Sequence, residues 1–343
     1  MLIPLVAILA LGVSARQHPD APPRPLIGIS PNVKEGGTIS DLVKSLQDLR
    51  SAGLDAMVVS VKWSDLEPEK GRFDLRRIDD PVRGLGGLGF TLAVTIQTLD
   101  TNNRTLPADL MDKPFDSPEM RLRWSALLRA VAPRLSERVR WVMLGNEADV
   151  YLALKPGELE PYAGFVEEGR RLVRELKPGL PVGVTCTFDG ARGRPKLFQR
   201  LNRETDVAAL TYYPLNPDFG VRPVSGVAGD VARMVEMAGH KPVLLQEAGY
   251  PADPLLGSSE EQQAAFVDAL FDAVGRHGNR IVLVNYFLLV DFNDALLAEL
   301  LRYYRLPNPR FRAFLATLGL HKADGAPRKA WERFRARLKT RDR

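Results

Sequence analysis

Residues 140–152 read RWVMLGNEADVYL. Trp141, Val142, Met143 and Leu144 form a short, unbroken apolar run. That is the pattern of a strand covered on both faces, not the alternation of a strand with one wet face. A glycine interrupts the run, and an amide and a carboxylate, Asn146 and Glu147, follow side by side. A strand that lies in the core and then ends on such groups requires a fold in which strand ends gather at a working surface.

Seven other runs share this character: PLIGIS from Pro25, DAMVVSVKW from Asp55, FTLAVTIQ from Phe90, LPVGVTCTF from Leu180, DVAALTYY from Asp206, KPVLLQE from Lys241 and RIVLVNYF from Arg280. Amphipathic segments separate them and carry helix punctuation. TISDLVKSLQDLRSAG has a Thr or Ser cap at its start and Gly53 at its end, SPEMRLRW has Ser117 followed by Pro118, and SSEEQQ has Ser258 or Ser259 before paired glutamates. Strand-to-strand spacing of roughly 25–50 residues fits βα units. Eight such units predict a (β/α)8 TIM barrel. An open doubly wound sheet fits less well, because its first strand leads into a glycine-rich phosphate turn, whereas here it leads into PNVKEGGTIS. No internal repeat or linker divides the chain, so residues 25–343 read as one catalytic barrel.

Composition narrows the function. The 343 residues are 45% hydrophobic and 26% charged, enough for a large core without staples. Lys and Arg number 47 against 42 acids, a net charge of +5, but they are scattered except in the closing RKAWERFRARLKTRDR. No nucleic-acid motif accompanies them, so nucleic acid is not expected as a partner. One cysteine, Cys186, allows no internal disulfide, and four histidines without ligand spacing give no metal signal. No cofactor is expected. Residues 1–15, MLIPLVAILALGVSA, read as a signal peptide with small residues at Val13 and Ala15, too short for a comfortable membrane span. An uncleaved anchor is the alternative. Residues 16–24 read as a proline-rich leader. The expected location is secreted or periplasmic, with no membrane association after cleavage.

In barrels of this kind chemistry collects where the strands end. Two acids stand there: Glu147 after the fourth strand and Glu247, in LLQEAGYP, after the seventh. Paired carboxyls are what glycoside hydrolysis requires, one protonated to donate to the departing oxygen and one ionised to face the anomeric carbon. Asn146 suits a sugar hydroxyl. Taken singly, either glutamate reads as a helix cap or an ion-pair partner; together, at the fourth and seventh strand ends, they read as a catalytic pair.

These residues resemble the clan of retaining glycoside hydrolases built on a (β/α)8 barrel, often called clan A. GNE after the fourth strand and QEAGYP after the seventh carry the resemblance. WSDLEPEKGRFDL after the second, TYYPLNP after the sixth and the closing GL…DGAPRKAWERF are similar to stretches of that clan. The resemblance implies that Glu147 is the general acid and then the base, and that Glu247 is the nucleophile. It implies a tyrosine bonded to the nucleophile, Tyr213 or, alternatively, Tyr212. Trp63 is expected as a sugar-stacking platform, with Gln97 and Lys62 as polar contacts. Where many members carry an arginine near the end of the second strand, this chain has Lys62. Where many carry a tryptophan after the eighth, it has Tyr286 or Phe287. The Glu67 of LEPEKG is expected to be structural.

The expected function is that of a cofactor-independent retaining β-glycosidase acting on a carbohydrate substrate, a poly- or oligosaccharide, by double displacement. Two alternatives remain: a carbohydrate-binding barrel without catalysis, and a glucan transglycosylase using the same two acids.

Overall fold

A computed structural model describes residues 24–340. The apolar run at residues 1–15 and nearly all of the leader lie outside the described residues. Eight parallel strands are present among them: β1 Leu26–Ile29, β2 Ala56–Lys62, β3 Thr91–Gln97, β4 Val139–Met143, β5 in two pieces (Val182–Gly183 and Thr185–Thr187), β6 Ala208–Tyr212, β7 Val243–Ala248 and β8 Ile281–Tyr286. Each aligns with one of the eight apolar runs.

The sheet closes on itself. Neighbouring strands pair in sequence order from β1 to β4, β8 pairs with β1, and β7 and β6 follow. The seam is β5, whose first piece pairs with β4 and whose second pairs with β6. Closure leaves the sheet without a long exposed edge.

Among the described residues eight helices wrap the barrel: α1 Ile39–Ser51, α2 Arg76–Gly87, α3 Pro118–Val131, α4 Leu159–Leu176, α5 Pro195–Asn202, α6 Val227–Met237, α7 Glu260–Gly275 and α8 Lys329–Thr340. Their starts follow local chemistry. Thr38 and Asp41 form a reciprocal capping box on α1, and Ser117 caps α3 with Pro118 in the first turn. Ser259 caps α7 by accepting from the amide of Gln262, while the Ser258 hydroxyl donates to the carbonyl of Pro251.

Strand periodicity sorts side chains between two cores. Ala56, Ala93, Trp141, Met143, Val207, Ala209, Leu244 and Leu283 pack together inside the barrel, and a larger cluster lies between the strands and the helices. Counting by twos from these inner residues predicts which side chains meet the mouth. The rule puts Lys62, Gln97, Thr211 and Tyr213 inside, and Trp63, Tyr212 and Tyr286 outside. No helix among the described residues is long and apolar enough to cross a membrane.

Candidate active site

The two glutamates arrive by different backbone routes. After Met143 the chain turns through Gly145, at φ 130°, and Glu147 itself adopts the left-handed conformation at φ 45°, ψ 39°. A side chain at Gly145 would collide with the hydroxyl of Tyr162, which bonds Thr98 and the carbonyl of Leu144. Glu247 is delivered by a register shift. Leu245 lies opposite Leu210, yet Glu247, two residues on, lies opposite Thr211. Two residues of β7 therefore face one of β6, as in a β-bulge. Simple alternation would turn Gln246 inward and Glu247 outward; the bulge brings both to the mouth.

Thr211 links the acids. It is the register partner of Glu247, and its hydroxyl donates to Oε1 of Glu147 at 2.6 Å. Thr101 donates to the other oxygen, Oε2, at 2.7 Å. The phenol of Tyr213 donates to Oε2 of Glu247 at 2.7 Å. Tyr212 points outward and donates to Asp230.

Burial pushes both glutamates above the ordinary carboxyl range. For Glu147 the Thr211 and Thr101 hydroxyls work against burial, while Asp149 and Asp100 add to it. For Glu247 the charge of Glu147 is the next cause after burial, and the Tyr213 phenol opposes both. Two neighbouring buried carboxyls resist double ionisation, so the pair keeps one proton near neutrality. The phenol can only donate while it stays protonated, and burial raises its own pKa well above the usual range. Threonine and tyrosine hydroxyls alike can rotate to accept from a protonated acid. The hydrogen bonds therefore leave either acid able to hold the shared proton.

A polar network extends from the pair. Asn146 accepts from Nε2 of Gln246 at 2.7 Å and donates to Oδ1 of Asp100 at 3.0 Å. Gln97 also donates to Oδ1 of Asp100, and Tyr303 donates to Oδ2 at 2.7 Å. The ammonium of Lys62 lies 4.0 Å from the centroid of the Tyr303 ring, a cation–π geometry. Gln246 is fixed from behind, its Oε1 accepting from Thr95 and Thr185. Asp149, two residues past Glu147, accepts from the amide and hydroxyl of Thr187 and so ties the helix after β4 to β5.

Six residues expected from the sequence, Glu147, Glu247, Asn146, Tyr213, Gln97 and Lys62, thus meet at one end of the barrel. Two do not. Trp63 is no stacking platform: it is fully buried outside the barrel wall, tilted against Trp124 at 5.2 Å, with its indole N–H donating to Glu67. Tyr286 is likewise turned outward, its ring 5.8 Å from Phe334 of α8. The residue facing the mouth is Phe287, edge-on to Tyr213 at 6.2 Å. Glu67 holds Trp63, the amide of Gly71 and Arg123, a structural set. Sequence reading missed Asp100, Thr101, Thr211, Gln246, Tyr303 and Tyr304. The inner-face count would have found Thr211 and Gln246; nothing local marks the two tyrosines, which come from a helix after β8.

Comparison with known proteins finds no matching family model and no matching curated protein. Solved structures do match. GH5_18 from Streptomyces cattleya, in complex with GlcNAc, is 18% identical over 94% of this chain and 82% of that chain, with a TM-score of 0.72. The exo-β-1,4-mannosidase Op5Man5 from Opitutaceae bacterium strain TAV5 is 20% identical over 96% of this chain and 62% of that chain, with a TM-score of 0.71. The β-glycosidase BGL167 is 13% identical over 87% of this chain and 85% of that chain, with a TM-score of 0.65. At these identities the likeness is one of fold, and the fold is a (β/α)8 barrel.

Proposed function

We propose that this protein is a retaining β-glycosidase of the clan A type, working by double displacement. The observation that carries the reading is the placement of Glu147 and Glu247 on either side of Thr211, with Tyr213 bonded to Glu247. The fold shared with glycoside hydrolases supports it.

In the first step a carboxylate oxygen of Glu247 bonds to the anomeric carbon. The glycosidic C–O bond breaks, and the proton of Glu147 passes to the departing oxygen. In the second step Glu147, now ionised, takes a proton from water as the water oxygen bonds to the anomeric carbon, and Glu247 is released as carboxylate. Tyr213 holds Glu247 in line and stabilises its charge. Asn146, oriented by Gln246 and Asp100, offers its remaining amide hydrogen to the sugar. β-Linked mannosides head the substrate panel, because one neighbouring structure is an exo-β-1,4-mannosidase and another holds Manβ1-4GlcNAc. The sequence of residues 1–15 supports secretion.

The test is turnover of aryl β-glycosides followed by trapping with a 2-deoxy-2-fluoro glycoside. The expected result is a covalent adduct on the peptide containing Glu247. An active enzyme labelled elsewhere would overturn the assignment of the nucleophile. A folded protein that turns over no aryl glycoside would favour a binding barrel.

A further inference from the structure

The layer of the barrel beneath the acids is closed except at one point. Gln246 reaches across it to the hydroxyls of Thr95 and Thr185, at 2.9 and 2.7 Å. Asn285 closes the next sector, donating to the carbonyl of Gln246 at 3.0 Å and to the hydroxyl of Ser30 at 2.9 Å. Thr95, Thr185, Gln246 and Asn285 are all buried. Ser60 belongs to the same layer, because it is the register partner of Thr95. Yet Ser60 is exposed. No other inward-facing strand residue among the described residues is.

A strand side chain that faces the inside of a closed barrel is exposed only where the interior is empty. Alternation along β2 traces that space. Ala56, lowest on the inner face, is fully buried, whereas Val58 and Lys62, on either side of Ser60, are half-buried. The space is therefore sealed from below and open toward the mouth, a recess running about 13 Å along the strand. The neighbouring strand keeps it empty. β1 places Gly28 beside Ala56, and a side chain at Gly28 would lie 2.8 Å from the carbonyl of Ala56 and from Oδ1 of Asn285. Ser30, the next inward residue after Gly28, is short and half-buried. Its hydroxyl accepts from Asn285, which leaves its own hydrogen to donate. Through Asn285, Ser30 is tied to the peptide carbonyl that precedes Glu247, so the recess lies on the nucleophile's side of the pair.

Resting on the glycosidase reading above, we propose that Ser60 and this recess select hexosides over pentosides. The recess takes the hydroxymethyl arm at C5, the one substituent by which the two classes of pyranoside differ. A ring with its anomeric carbon between the acids has two edges. Asn146, held between Gln246 and Asp100, meets the C2 edge. The opposite edge, with the ring oxygen and C5, turns toward β8 and β1, where Ser30 and Ser60 stand. The arm is a methylene ending in a hydroxyl, and the recess matches both parts. Val58 offers methyl groups to the methylene; Ser60 and Ser30 offer hydroxyls to the oxygen. A site built to bond a hydroxyl rejects the analogue that lacks it, because its own polar groups are then left unpaired.

The experiment uses the full chain and pairs of 4-nitrophenyl glycosides that differ only in the arm: β-D-glucoside and β-D-xyloside, β-D-mannoside and β-D-lyxoside, β-D-galactoside and α-L-arabinopyranoside. In whichever pair is turned over, kcat/KM for the hexoside should exceed that for the pentoside at least about 30-fold. Ser60→Leu fills the recess and should lower that ratio at least about tenfold, with a melting curve showing that the variant folds. Ser60→Ala removes the hydroxyl and keeps the space; it should lower the ratio about three- to tenfold. If Ser60→Leu does not fold, Ser60→Ala and the wild-type ratio decide. A merely structural serine would lower hexoside and pentoside rates alike, and an unmoved ratio overturns the role of Ser60. A wild type that handles pentosides as well as hexosides overturns the recess and leaves the glycosidase reading standing. No release from any probe overturns both.

Discussion

Glu147 and Glu247 sit at the same end of the same barrel, yet their surroundings differ in kind. Glu147 is held by two threonine hydroxyls, and Glu247 by a single phenol. A threonine hydroxyl can donate to a carboxylate or turn and accept from a carboxylic acid, so Glu147 can change protonation state without losing its partners. The Tyr213 phenol, kept protonated by burial, donates to Glu247 and favours its ionised form, as the two threonines do for Glu147. On the proposed roles, the acid that gives and retakes a proton has two hydroxyl partners and the nucleophile has one. The backbone follows the same division. Glu147 stands on a glycine turn in a left-handed conformation costing about 1 kcal/mol or more, whereas Glu247 stays on its strand and is re-aimed by a bulge.

The comparison can be broken from the side of Glu247 first. Glu247→Gln should lose at least about 10⁴-fold in kcat on any glycoside, since no nucleophile remains. Steady-state and single-turnover rates measure this, and a nearly active variant would sink the scheme. Glu147→Gln should depend on the leaving group: about 10²–10⁴-fold slower on alkyl glycosides, but with little loss in bond cleavage for dinitrophenyl glycosides. Added azide should restore its second step, and β-glycosyl azide should appear as product. Tyr213→Phe removes one hydrogen bond to a charged group, worth about 1.5–3 kcal/mol, so kcat should fall roughly 10- to 100-fold. Equal losses on good and poor leaving groups would separate this role from that of the acid.

The smaller effects concern pH. With Glu147 as the proposed general acid, activity is expected to be lost as pH rises through that acid's pKa, which burial holds above the ordinary range. Thr211→Val deletes a donor that favours the ionised form. The alkaline limb of kcat/KM should therefore move to higher pH, and a shift to lower pH would contradict the role given to Thr211. Stability follows the same sign. Carboxyls raised in the folded state bind protons there that the unfolded chain has already lost, so their contribution is lost as pH rises from the ordinary range through the raised values. Glu247→Gln should thus raise the melting temperature more at pH 8 than at pH 4, by roughly 0.5–2 kcal/mol in free energy.

Much of the fold was legible because the barrel buries its strands on both faces, and each strand left an apolar run in the sequence. The acids were legible because such runs end abruptly on Asn146–Glu147 and Gln246–Glu247. The two errors, Trp63 and Tyr286, share a cause. Both lie next to a residue that does face the mouth, Lys62 and Phe287, and a step of one along a strand reverses the face. Counting inward from Val58 and from Leu283 corrects both. Asp100, Tyr303 and Tyr304 were hidden for another reason. They are brought together by tertiary docking of a helix over 200 residues from the loop it touches, and no periodicity encodes that contact.

The seam in β5 carries one more consequence. Cys186, the chain's single thiol, lies in the second piece of that strand, fully buried, and burial holds it well above the ordinary thiol range. The place where the sheet joins its own ends is therefore marked by a natural chemical label. The sulfur faces the helices, so a thiol reagent reaches it only when the helix layer lifts from this strand or the whole molecule unfolds. Comparing its modification rate with the global unfolding rate would tell whether the helices beside the seam lift on their own or only as the whole molecule unfolds, without any residue having to be introduced.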